Sequence, residues 1–125
     1  MKKRLTIIQM DVHVNDVEYN YTRVQELLSQ SLSENPDIIV LPETWNTGFY
    51  PSKELINIAD RNGERTKSLL STFAKEHNVN IVGGSVAVAK NDVVFNTSYA
   101  YNREGTLVGE YSKMHGFSPA KEDQY

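Results

Sequence analysis

Glu43, in the run LPETW, and Lys113, in EYSKMH, each stand just past a stretch that reads as a buried strand. A carboxylate in such a place can take and return a proton, and an ammonium beside it can hold the oxyanion formed when a carbonyl is attacked. Together they make two parts of a site for nucleophilic attack on carbon. No thiol can complete it from within, because the 125-residue chain contains no cysteine. Plainer readings are common: Glu43 solvated or capping the next turn, Lys113 an ordinary surface lysine, the two joined at most as a structural ion pair. Position favours chemistry for Glu43, since ligands gather outside the carboxyl ends of parallel strands and Leu41-Pro42-Glu43 reads as such an end. Trp45, Phe49 and Tyr50 follow closely and could partly desolvate the acid, favouring a base role, although each taken singly reads first as a core residue.

Other chemistries have weaker claims. Gly83-Gly84-Ser85-Val86-Ala87 faintly resembles a nucleophile elbow with His115 as its base, but an elbow turns from strand into helix, whereas Val86-Ala87-Val88 continues a strand. Ser85 reads better as a small residue that permits close packing. His13, His77 and His115 lack ligand-like spacing, so neither a metal nor a cofactor is expected.

The elements that must position these groups alternate strand and helix, then turn to strands alone. Residues 4–10 read as a central strand, with Leu5, Ile7, Ile8 and Met10 nearly continuous. Asn15 is read as an N-cap with Glu18 returning as in a capping box, and Val17, Tyr21, Val24, Leu28 and Leu32 share one helical stripe. Asn35-Pro36 ends that helix, and the β-branched run 37–41 gives a second strand, parallel to the first through a right-handed crossover. The aromatic loop 43–52 is expected to be functional or a lid. A second helix spans 64–77, with Asn78 as its left-handed exit. Strands at 79–89, 93–101 and 106–111, separated by turns, then form a meander.

Length allows one ordinary domain with a real core, and charges of both signs are spread along the chain. The net charge of −3 and the absence of any basic cluster beyond Lys2-Lys3-Arg4 argue against a nucleic-acid partner. The apolar stretch after Arg4 is interrupted by Thr6 and Gln9 and ends at Asp11, too short for export, and no run is long enough for a membrane span. A cytoplasmic location is the simplest expectation.

The ordered set LTIIQMD, PDIIVLPETWNTGFY, NVNIVGGSVA, FNTSYAYNREGTLVGEYSK and MHGFSPAKEDQY resembles the N-terminal portion of the nitrilase, or carbon–nitrogen hydrolase, superfamily, and most of all its small amidases of the omega-amidase type. The likeness covers essentially the whole chain. It implies an α/β fold: the first half of a four-layer αββα sandwich, a mixed sheet with helices on one face, with residues 1–125 forming a single incomplete domain. Glu43 matches the family's general base, Lys113 its oxyanion-supporting lysine, and Glu122 a second glutamate that positions lysine and substrate; an exposed acid beside Lys121 and Asp123 is the plainer reading of Glu122. The family's nucleophile is a cysteine on a later strand, beyond Tyr125. The implied partner is a small amide, and a chain lacking its covering layer is expected to form homo-oligomers or aggregate. Two classes of function stay open: a carbon–nitrogen hydrolase whose thiol lies outside this chain, and a non-catalytic binding or assembly module built on the same half fold.

Overall fold

The computed structural model describes residues 2–49 and 53–113. Helix α1, Val17–Ser31, buries Tyr21, Val24 and Leu28 on one stripe, as the spacing predicts. Its cap is Asp16 rather than Asn15. Asp16 accepts from Tyr19 N–H at 3.2 Å, while Asn15 adopts a left-handed φ of 61° and donates its N–H to Thr47 O. Glu18 is thereby released from any capping role and accepts from the Arg65 guanidinium instead. A 3₁₀ turn, Leu32–Glu34, closes on left-handed Asn35.

Strands β1, Leu5–Ile7, and β2, Ile38–Val40, pair in parallel, and β2 pairs in parallel with β4, Asn80–Val82. Between them lie a short helix α2, Leu55–Ile58, a two-residue strand β3, Asp60–Arg61, and helix α3, Glu64–His77. Asn78, left-handed with its N–H on Ala74 O, ends α3 at the expected place. The other end of α3 is held from outside: buried Asp60 accepts from Arg65 N–H and Thr66 N–H, a carboxylate set against the positive end of the helix.

The expected strand at 79–89 is interrupted. It divides into β4 and β5, Val86–Lys90, which run along the same edge of β6, Val93–Tyr101, while β7, Leu107–Ser112, takes the other edge. Ile81 pairs with Tyr101 and Val86 with Thr97, so five steps on one strand answer four on its neighbour. The extra residue makes a bulge at residues 83–85, and its cause is the chain leaving β2. Gly84 has φ 60°, and a Cβ there would lie 2.0 Å from Pro42 O, so the close approach requires glycine. The described strands form one mixed sheet of order β1-β2-β4-β6-β5-β3, with β7 on β6.

Because strand side chains alternate, each strand divides its residues between two faces. Ile39, Ile81, Tyr99 and Tyr101 are buried in one core with Tyr21, Val24 and Leu28 of α1 and Leu70, Phe73 and Ala74 of α3. Each large apolar side chain buried there contributes roughly 1.5–3 kcal/mol. The other face carries Leu5, Ile7 and Val82, which are 55%, 64% and 43% exposed among the described residues. No helix of the described residues is long and apolar enough to cross a membrane.

Candidate active site

Glu43 begins the turn that follows β2, and a set of hydrogen bonds to the bulge fixes that turn. Pro42 O accepts from Ser85 N–H, Thr44 N–H donates to Ser85 Oγ at 2.9 Å, and Trp45 N–H donates to Ser85 O. Thr44 holds a left-handed φ of 47°, unusual for a β-branched residue and a cost of about 1–3 kcal/mol. Those bonds hold it there. Two residues on, the buried Asn46 side chain accepts from Ala87 N–H at 2.8 Å and donates to Ala87 O at 3.0 Å, supplying both groups a neighbouring peptide would supply. Asn20 of α1 donates to Asn46 O from behind.

Lys113 arrives from the opposite direction, one residue past β7, with its N–H on Asn96 O at 2.9 Å. Its Nζ lies 3.8 Å from Glu43 Oε1, and the same oxygen accepts from Asn96 Nδ2 at 3.0 Å. The structure therefore brings Glu43 and Lys113 together on the face away from the helices. They line a cleft of about 460 Å³ with Leu41, Gly84, Ser85, Asn96, Ser98 and Tyr111. A larger groove, about 540 Å³, lies between α1 and α3 and includes neither residue of the pair. The smaller cleft is the better candidate because it joins a carboxylate and an ammonium at the carboxyl end of a parallel strand.

Of the aromatic residues that follow the acid, Trp45 takes the core alternative. Trp45 is fully buried, donates its ring N–H to Gly83 O at 3.0 Å and meets Tyr21 edge-on at 4.9 Å. It is a core residue that anchors the turn, because an indole with a satisfied N–H is more stable under the helices than beside a solvated acid. Glu43 remains 55% exposed and Lys113 36%. At that exposure the pair is a modest electrostatic contact, and its value lies in geometry.

Ser85 is placed as a support for the turn, its hydroxyl accepting from Thr44, and the chain after it continues as β5 rather than a helix. Tyr50, His115 and Glu122 lie outside the described residues. Asn96, Ser98 and Tyr111 are cleft residues that sequence reasoning left unassigned. A signal for the first two was present: Asn96 and Ser98 alternate with buried Thr97, Tyr99 and Tyr101 along β6.

The family model described as carbon-nitrogen hydrolase matches residues 4–125. The chain is 38% identical to 2-oxoglutaramate amidase of Bacillus subtilis over 125 residues, which is all of this chain and 48% of that protein. It is 31% identical to a hydrolase in the agr operon of Staphylococcus aureus, covering 98% of this chain and 46% of the other. The chain thus spans about half the length of these curated relatives. Among solved structures, a CN-hydrolase superfamily protein of Xanthomonas campestris superposes with TM-score 0.82 at 28% identity, over 98% of this chain and 44% of that one. An amidase from Nesterenkonia sp. AN1, solved with butyramide, superposes with TM-score 0.79 over 97% of this chain and 46% of its own, at 16% identity, and so shares the fold.

Proposed function

The chain belongs to the carbon–nitrogen hydrolase family, and from that premise we infer that Glu43 and Lys113 serve the hydrolysis of a small non-peptide amide. The attacking thiol comes from a cysteine outside these 125 residues, which hold none. The observation that carries the reading is the approach of Lys113 Nζ to Glu43 Oε1, 3.8 Å, inside one cleft beyond the end of β2.

In this reading Glu43 takes the thiol proton as sulfur bonds to the amide carbon, and Lys113 stabilises the oxyanion of the tetrahedral intermediate. Glu43 returns the proton to the leaving nitrogen, ammonia departs, and water then cleaves the thioester with Glu43 again as base. Glu122 is the proposed second glutamate, positioning lysine and substrate. The nearby relative named 2-oxoglutaramate amidase makes an amide on a small carboxylic acid the first substrate class to test.

The test is a fusion of residues 1–125 to the portion of the Bacillus subtilis relative that this chain does not match, assayed for ammonia release from 2-oxoglutaramate. Saturable turnover that Glu43→Gln lowers by at least about 100-fold is expected. A folded, inactive fusion, or one indifferent to Glu43→Gln, overturns the reading. The 125-residue chain alone is expected to show no turnover and to self-associate through its exposed apolar face in size-exclusion chromatography; a monodisperse monomer would contradict the second expectation.

A further inference from the structure

We propose that Asn96 is a positioning residue that sets Glu43 and Lys113 against one another. This rests on the reading that the pair carries the chemistry. Its side-chain Nδ2 donates to Glu43 Oε1 at 3.0 Å, and its backbone carbonyl accepts Lys113 N–H at 2.9 Å. One residue in the middle of the sheet thus touches the acid with its side chain and the lysine with its main chain. The acid arrives on the turn after β2 and the lysine on the chain leaving β7, so neither element fixes the other directly.

Glutamate has a long, flexible side chain, and this one is more than half exposed. An ammonium at 3.8 Å attracts it without fixing its direction, since a point charge accepts a range of carboxylate orientations. A short amide on a strand restricts it further, because N–H donation is directional. It does so without adding charge to the cleft. The amide has only one orientation consistent with this contact: turned over, Oδ1 would face a carboxylate oxygen and both would be acceptors.

That orientation has a cost. Among the described residues, Asn96 Oδ1 is buried without a hydrogen-bond partner. A buried orphan acceptor is unfavourable, and serine or alanine on this strand would avoid it. Keeping the amide is accounted for by what its other end does to Glu43. Asn96 itself is firmly registered, since it pairs with Ala87 in the β5–β6 ladder.

The test uses the fusion protein described above. Asn96→Ala is expected to lower kcat by roughly 10- to 100-fold, the scale of a small misplacement of a reacting group, while KM changes by less than about threefold. Asn96→Asp, nearly the same size, sets a second carboxylate against the first and should lower kcat more than alanine does; a packing role would make it the milder change. In a Glu43→Gln background, Asn96→Ala should cost less than about twofold, because a residue acting through Glu43 has nothing left to position. Unchanged kcat in Asn96→Ala, or equal losses in both backgrounds, overturns the proposal while leaving the amidase reading intact. If the unmodified fusion shows no turnover, that reading falls and NMR of the folded fusion still decides the contact. A side-chain amide proton of Asn96 shifted downfield, and returning upfield in Glu43→Gln, supports it; a resonance indifferent to Glu43→Gln overturns it.

Discussion

Successive residues of β6 face two different environments. Thr97, Tyr99 and Tyr101 turn beneath the helices and are buried, whereas Asn96 and Ser98 turn into the cleft with Glu43 and Lys113. On the helix side, order comes from apolar burial and close packing, which tolerate no loss of volume. On the cleft side it comes from hydrogen bonds and one half-exposed ion pair, which contribute little stability but fix directions. The two faces share a backbone and differ in what a substitution should damage.

The sharpest contrast is Glu43→Gln, which should lower kcat of the fusion by about 10²- to 10⁴-fold while moving stability by less than about 0.5 kcal/mol in urea denaturation. A comparable loss of stability would mean that the cleft face also supports the fold. Leu28→Ala, on the fully buried stripe of α1, reverses the pattern: about 2–5 kcal/mol of stability lost, read from the urea midpoint at low protein concentration. Ile7→Ala on the exposed face is its control and should cost far less.

Gly84→Ala tests the junction between the faces. A Cβ placed 2.0 Å from Pro42 O, at φ 60°, must push the turn off the bulge, so stability falls by about 1–3 kcal/mol and turnover falls with it. Loss of one without the other would separate the bulge from the placement of Glu43. The smallest effect is alkaline. Burial holds the Tyr21 phenol above its ordinary value of 10.0, so the folded chain keeps a proton that the unfolded chain releases. Its contribution is complete below that pH and lost as pH rises past it, and Tyr21→Phe should flatten the decline measured by unfolding above pH 10.

The sequence was most legible where local rules decide. Helix α3 keeps both expected ends, Asn78 included, and β6 has its expected bounds, because capping and alternation are written within a few residues. The bulge at 83–85 was hidden, since it depends on a turn arriving from residues far away in the chain. So was β3, two residues paired with β5, a contact too short to leave a pattern. At the site, Glu43 and Lys113 were nameable from type and position, but their approach follows from sheet order. Asn96 was hard to see because a polar residue alternating along a strand looks the same whether it faces water or an acid.

The clasp between Asn46 and Ala87 has one more consequence. Ala87 pairs with Asn96, and Asn96 O receives Lys113, so three consecutive links run across the strands from the turn to the lysine. The row acts as a ruler, and its first division is a single asparagine side chain. Lengthening that division by one methylene, as in Asn46→Gln, would shift the turn bearing Glu43 by roughly 1 Å, a displacement at which catalytic geometry fails. The spacing of Glu43 and Lys113 is thus metered by a side chain that touches neither.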